Sequence, residues 1–212
     1  MSMIGMVRQI SDGLIQRLQF NPNLIYEVIS PAEDVAAIVD PHFPPLRLVI
    51  GDEDDDVEDA PGTDSDDGTG IDEGDDRNTS DEHQSDVLCL ERSWHGIHYL
   101  LTGSAEGVSP PVDFLLMGGL EIGGVDLGYG PARSFTSKET RRIAEALAKI
   151  EPESLGEQFD GAAMSAQMVY PVVWHDEPED ENVEWLTEVY RELREFVAQA
   201  AKARLGLLVY LC

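Results

Sequence analysis

The hydrophobic positions of this chain follow a helical period most clearly near its end. Between about Asn182 and Arg204 they recur every three or four residues, which predicts the longest helix, with one buried face. That face consists of Leu186, Val189, Tyr190, Leu193, Phe196, Val197 and Ala200. The run from Leu205 to Leu211 that follows has no polar residue. Its short length fits a strand that is buried on both faces.

The beginning of the sequence predicts one strand and two helices. Met3 to Ile10 is a short apolar run that contains Val and Ile, which indicates a strand. Ser11 is a favourable N-cap for a helix that extends to about Phe20. Pro22 ends that helix and begins a second one, which reaches about Ile29.

The stretch from residue 31 to residue 86 divides into two parts of different composition. Pro31 lies at a favourable first-turn position for a third helix over 32–39, and 46–50 is either an edge strand or the lead into the next segment. From Gly51 to Asp86 the chain has 17 Asp or Glu and a single Arg, so this segment carries −16 of the net charge of −28. It cannot bury enough apolar surface to offset its chain entropy. We therefore expect a disordered acidic insert over 51–86.

Regular structure resumes after the insert. It extends from Val87 to Leu101, and within it the spacing is nearly helical for Trp94, Ile97, His98, Leu100 and Leu101, with Gly103 as a favourable C-cap. The many glycines between 118 and 130 predict loops and turns. Thr136 and Glu139 have the spacing of a capping box, which predicts a helix that runs to Ile150.

These elements indicate an α+β fold. The 212 residues suit a single, mostly helical domain that spans 1–212, with both terminal strands in a small mixed β-sheet. The long acidic insert of 51–86 interrupts this domain at its surface.

The charge of the chain narrows the range of partners. Only 14 Lys and Arg accompany 42 Asp and Glu, which argues against nucleic acid as a ligand, because phosphates must be neutralised by basic side chains. Strong acidity favours a basic protein or metal cations as partners. The alternative is that the acidity serves solubility alone.

Cysteine usage and hydropathy indicate the compartment. Cys89 and Cys212 are too few for a disulfide framework and lack metal-ligand spacing. The first residues do not have the pattern of a signal peptide, and no apolar run approaches the roughly 20 residues needed to span a bilayer. We expect a cytoplasmic protein without membrane contacts; the sequence gives no indication of its oligomeric state.

Several separated motifs of the chain occur together in a characteristic order. They are Met3-Ile4-Gly5-Met6, the run Ser93 to Gly103, Gly118-Gly119 with Glu121-Ile122-Gly123, the run Leu127 to Arg133, Phe159-Asp160, Met164, Tyr170-Pro171 and Trp174. In this order and spacing the chain resembles the YfbM-like family, a bacterial family of domains of unknown function. The resemblance extends over nearly the whole chain except the insert, which departs from it. It implies a single α+β domain of a bacterial, cytoplasmic protein. It brings no established activity with it.

Two histidines deserve consideration as metal ligands. His95 and His98 are three positions apart, so on a helix they share one face, and His175, Asp176 or Glu177 would have to supply a third ligand. The alternative is a pair of half-buried histidines beside Trp94. We favour that alternative and predict neither a metal site nor a cofactor.

Arg133 offers another candidate for ligand binding. It follows a glycine-rich turn, and its guanidinium can bind a carboxylate or phosphate through two parallel hydrogen bonds. The alternative, which we favour, is that it pairs internally with Glu121 or Asp126. A cleft for a small molecule would be built from Trp94, His98, Glu121, Tyr129, Arg133 and Trp174.

The sequence contains no recognisable set of catalytic residues. The nucleophile-elbow, Walker A and zinc-protease patterns are all missing from it. We therefore expect a non-catalytic acidic binding protein, for example an immunity-type neutraliser of a basic protein. The alternative is a small-molecule sensor or enzyme that uses the cleft around Arg133.

Overall fold

The computed structural model describes residues 2–30, 86–107 and 110–212. The predicted helix over 32–39 and the possible strand over 46–50 lie outside the described residues. So does the predicted disordered insert, apart from its last residue, Asp86.

The two terminal strands pair with each other near the centre of an antiparallel sheet. The described residues form five strands in the order β2-β1-β5-β4-β3. Their bounds are β1 Gly5–Ile10, β2 Val87–Glu91, β3 Leu120–Asp126, β4 Pro131–Phe135 and β5 Gly206–Leu211. Gly5 of β1 lies opposite Leu211 of β5, and Ile10 lies opposite Gly206. Five of the six residues of β5 are buried, as its lack of polar residues predicts.

Seven α-helices lie in the described residues. They are α1 Asp12–Phe20, α2 Ile25–Ile29, α3 Trp94–Thr102, α4 Ser137–Leu147, α5 Pro152–Leu155, α6 Gly161–Ala166 and α7 Glu179–Lys202. Ser11 caps α1 by accepting a hydrogen bond from the backbone N–H of Leu14. Thr136 and Glu139 form the predicted capping box at the start of α4. Gly103 ends α3 with a φ of 72°, as expected for a C-cap glycine.

Strand β5 separates two hydrophobic clusters, because successive side chains of a strand point to opposite faces of the sheet. Leu207 and Val209 belong to the larger cluster, which includes the buried faces of α3, α4 and α7. Leu208 and Tyr210 belong to the smaller cluster, which includes the buried residues of α1 and α2. The sheet is therefore covered by helices on both faces.

The α+β class is confirmed, with two corrections to the predicted elements. All strand pairings among the described residues are antiparallel, so the sheet is not mixed. The structure that resumes at Val87 begins with a strand, because Val87–Glu91 pairs with β1. The glycine-rich stretch contains β3, in which Gly123 has a φ of 55° and packs against Pro22. A side chain at Gly123 would collide with that proline ring.

The described part of the chain contains no helix that is both long and apolar enough to cross a membrane.

Candidate functional site

His95 uses both ring nitrogens in the protein itself. Its Nε2 lies 2.9 Å from the carbonyl oxygen of Ala105, and its Nδ1 accepts a hydrogen bond of 2.9 Å from the backbone N–H of Tyr170. The ring stacks on Trp94 with centroids 4.8 Å apart. Burial lowers the pKa of His95, while the hydrogen bond to Ala105 raises it in part. With both nitrogens engaged, this imidazole has no lone pair to offer to a metal.

His98 is completely buried on α3. Neither of its ring nitrogens has a hydrogen-bond partner among the described residues. Its ring packs so closely on Gly107 that a side chain there would collide with the imidazole. Burial, and then the charges of His95 and Arg133, lower the pKa of His98 to about 4. The imidazole is therefore neutral at physiological pH.

The described residues contain no group of three or more His, Cys, Asp or Glu side chains placed to hold a metal ion. The third ligands considered from the sequence, His175, Asp176 and Glu177, are exposed, whereas His98 is fully buried. No metal-binding geometry is therefore found at His95 and His98 in the part of the chain that the structure describes.

Trp94 and Trp174 belong to the core rather than to a ligand surface. Their exposed fractions are 4% and 1%. The indole N–H of Trp174 donates to the carbonyl oxygen of Val169 at 2.8 Å, and its ring stacks on Trp185 with centroids 6.1 Å apart. The six residues considered for one cleft therefore do not converge: two tryptophans and His98 are buried, and only three of the six face a common opening.

Glu121, Tyr129 and Arg133 line that opening, a small cleft that we call the Arg133 cleft. It has a volume of about 200 Å³. Glu121 on β3 lies directly opposite Arg133 on β4, and Arg133 lies opposite Val209 on β5. Residues opposite each other in a sheet project from the same face, which brings these side chains to one cleft. The remaining wall is mainly aliphatic, with Leu115, Leu116, Pro131, Val209 and Leu211.

The guanidinium of Arg133 holds the turn that precedes β3. It donates to the carbonyl oxygens of Phe114 at 3.1 Å, Leu115 at 2.7 Å and Gly118 at 3.2 Å. Burial lowers the pKa of Arg133 to about 10, although the charges of Asp113 and Glu121 raise it in part. The side chain is therefore still cationic at neutral pH.

The predicted internal partners of Arg133 were wrong. No ion pair joins Arg133 to Glu121 or to Asp126 among the described residues. Asp126 instead accepts hydrogen bonds from the backbone N–H groups of Gly128 at 2.8 Å and Gly130 at 2.9 Å. These two bonds lower the pKa of the Asp126 carboxyl and fix the turn between β3 and β4. Arg133 has a structural role, as favoured, but it acts through backbone carbonyls.

A second feature, which the sequence reasoning did not single out, lies between Lys149 and Arg191. This stretch has eleven Asp or Glu and no Lys or Arg. Glu151 and Glu153 form ion pairs with Arg194 and Arg191. The other nine are exposed and have no ion-pair partner among the described residues, and we call them the acidic face: Glu157, Asp160, Asp176, Glu177, Glu179, Asp180, Glu181, Glu184 and Glu188.

The acidic face contains a cleft of about 310 Å³ between α6 and the start of α7. Asp160, Glu177 and Glu179 line it, together with His175 and Phe159, and no Lys or Arg is among the described residues at its wall. Asp160 also caps α6, because its side chain accepts a hydrogen bond of 2.9 Å from the N–H of Ala163. Below this cleft the interior is filled by Trp174 and its aromatic neighbours.

Comparison with known proteins agrees with the architecture. Residues 1–210 match the family described as a domain of unknown function, DUF1877. The crystal structure of YfbM from Escherichia coli, a protein of unknown function, is similar with a TM-score of 0.59 and 14% sequence identity, over 99% of both chains. At that identity the similarity shows the fold alone. No curated protein matches the chain. Because the family match covers nearly all of the sequence, the chain belongs to the DUF1877 family, which contains YfbM-like proteins.

Proposed function

We propose that this member of the DUF1877 family is a non-catalytic binding protein whose acidic face docks a basic protein partner. The observation that carries the proposal is the set of nine exposed carboxylates of the acidic face, which lack ion-pair partners among the described residues. Neutralisation of a basic toxin by an immunity-type protein is one role of this class.

Electrostatics explains why such a surface suits association. Carboxylates grouped without interspersed cations produce a negative potential that speeds the encounter with a positively charged partner and disfavours acidic ones. Glu179, Asp180 and Glu181 occupy the first turn of α7, where the helix dipole stabilises negative charge. These three carboxylates therefore lie where the helix favours negative charge.

The state of the polar groups elsewhere favours binding over catalysis. His95 has both nitrogens engaged, His98 is enclosed away from solvent, and Arg133 is held by three carbonyl oxygens. A general base must be within hydrogen-bond reach of a substrate proton. Neither histidine meets that condition in this arrangement.

The proposal is tested with two variants of equal charge. The face variant carries Glu177→Gln, Glu184→Gln and Glu188→Gln, whereas the control carries Glu27→Gln, Glu106→Gln and Glu145→Gln, all exposed carboxyls outside the acidic face. Binding of a fluorescent arginine-rich peptide is measured by anisotropy at low salt. We expect the face variant to lose at least about tenfold in affinity and the control much less.

Equal losses in the two variants would contradict the proposal, because they would show a response to net charge rather than to the acidic face. Circular dichroism and the unfolding midpoint of each variant establish that both remain folded. Raising the ionic strength should weaken the wild-type interaction, since exposed charges are screened within about 10 Å at 0.1 M salt.

A further inference from the structure

We propose that the Arg133 cleft binds a small zwitterion, namely a free α-amino acid with a short aliphatic side chain. Arg133 would receive its carboxylate, Glu121 its ammonium group, and the aliphatic wall its side chain. This ligand site is separate from the acidic face and does not depend on the function proposed for that face.

Two opposite charges, those of Glu121 and Arg133, are held apart in the same cleft. Glu121 and Arg133 are cross-strand neighbours, yet they form no ion pair with each other among the described residues. The reason is that Arg133 is turned toward the carbonyls of Phe114, Leu115 and Gly118. One cation and one anion therefore line the same opening without a direct ion pair between them, which is the arrangement that a zwitterion requires.

Arg133 also retains hydrogen-bonding capacity. A guanidinium has five N–H groups. Three of them donate to carbonyl oxygens in the turn before β3. The others have no acceptor among the described residues. Because the three bonds fix the plane of the group, the remaining donors are preorganised for a carboxylate.

The volume of the Arg133 cleft limits the size of its ligand, and the residues of its wall favour an aliphatic side chain. The cleft volume of about 200 Å³ is below that of pockets for drug-sized molecules, which have roughly 300–1,000 Å³. Leu115, Leu116, Val209 and Leu211 offer an aliphatic surface to a short side chain. Tyr129 has an exposed fraction of 38% and places a hydroxyl-bearing side chain at the rim.

The charges near the cleft also exclude simpler ligands. A pure anion would meet the carboxylate of Glu121 as well as the nearby charge of Asp113, both of which act on Arg133. A pure cation would meet Arg133 itself. Like charges brought together in a partly dry site are unfavourable, so a molecule with both charges gains most from this lining.

The test uses the full chain and three related probes. L-valine is titrated by calorimetry alongside isovalerate, which lacks the ammonium group, and isobutylamine, which lacks the carboxylate. We expect saturable binding of L-valine and an affinity at least about tenfold weaker for each analogue. Failure of L-valine to saturate at about 10 mM, or equal binding of the analogues, would overturn the proposal.

The variant Glu121→Gln removes the proposed ammonium partner. It leaves the three hydrogen bonds of Arg133 intact, because no side-chain hydrogen bond of Glu121 is found among the described residues. We expect it to weaken L-valine binding at least about tenfold, whereas Glu145→Gln, at an exposed position on α4, leaves the affinity unchanged. An unchanged affinity in Glu121→Gln would also overturn the proposal. Unfolding curves of both variants show whether the fold is preserved.

Discussion

The imidazole of His98 is enclosed by the domain without a hydrogen-bond partner among the described residues. Its ring packs on Gly107, and the charges of His95 and Arg133 act on it. Burial, and then the charges of His95 and Arg133, disfavour protonation, so the pKa of His98 in the folded state is lowered to about 4. The cost of this arrangement is a dependence of stability on pH.

This dependence has a definite sign. The pKa of His98 is about 4 in the folded state and about 6.5 in the unfolded chain, so between these values the unfolded state binds more protons. The contribution of His98 to stability is complete above pH 6.5 and is lost as the pH falls toward 4. Chemical denaturation at about pH 7 and about pH 5 should show His98 accounting for about 2 kcal/mol of the difference. In His98→Leu that part should vanish; an unchanged pH response would contradict the assignment.

Arg133 provides a second test at the scale of a single residue. Replacement by Gln removes the cation that binds the carbonyls of Phe114, Leu115 and Gly118. Hydrogen bonds to charged groups contribute about 1.5–3 kcal/mol each, so we expect a loss of at least about 2 kcal/mol in the free energy of unfolding. Tyr129→Phe, at the exposed rim of the same cleft, should change it by less than about 0.5 kcal/mol. Equal effects of the two substitutions on the free energy of unfolding would contradict a stabilising role for the hydrogen bonds of Arg133.

The contacts of Arg133 were only partly predictable from the sequence. Its structural role was predicted, but its partners were not. Every residue has a backbone carbonyl, so the sequence does not show that carbonyls within 114–118 accept its hydrogen bonds. Of the six residues considered for one cleft, Glu121, Tyr129 and Arg133 line the same opening. Trp94 and Trp174 were grouped with them incorrectly, because their burial is decided by packing between distant helices.

At the scale of the elements, those specified by local patterns were predicted well. Helix α7, strand β5 and the capping box of α4 each follow from a short stretch of sequence. Strands β2 and β3 were missed because their formation depends on pairing with β1 and β4. Strand β3 contains glycines, which are unfavourable in regular strands and therefore indicated loops. They lie where the register of β3 shifts, between Glu121 and Asp126.

The capping box of α4 gives a prediction for an element. Thr136 accepts a hydrogen bond from the N–H of Glu139, whose carboxylate binds the N–H of Thr136 in return. Thr136→Ala should lower the free energy of unfolding by about 1 kcal/mol, measured by urea denaturation. Lys138→Ala, an exposed position in the same turn, should change it by less than about 0.5 kcal/mol. A neutral effect of Thr136→Ala would contradict the role of the cap.

At the scale of the whole molecule, negative charge is distributed over two separate parts of the sequence. The acidic face contributes nine exposed carboxylates in the second half of the chain. The segment from Gly51 to Asp86 contributes −16 to the net charge of −28. Under the proposed function, both parts attract a basic partner at long range, and the acidic face provides the docking surface.

Deletion of 52–85 separates these contributions. The deletion retains Asp86, whose carboxylate binds Arg8 at 3.1 Å and whose carbonyl oxygen accepts from the N–H of Gln9. We expect slower association with a basic partner, most clearly at low ionic strength, and little change in dissociation or melting temperature. An unchanged association rate would leave solubility as the role of the segment.

Limited proteolysis of the full chain should cut first within this segment and leave a stable remainder. Rapid proteolysis of the whole chain would contradict the single-domain prediction.

The association rate constant with a basic partner captured from native lysate tests the central claim most directly. It is measured by stopped flow at low and high salt for the wild type, the face variant and the charge-matched control. We expect the face variant, with Glu177, Glu184 and Glu188 neutralised, to associate at least about tenfold more slowly at low salt than the control, and high salt to remove the difference. Equal rates for the two variants at low salt, or capture of no salt-sensitive partner, would contradict it.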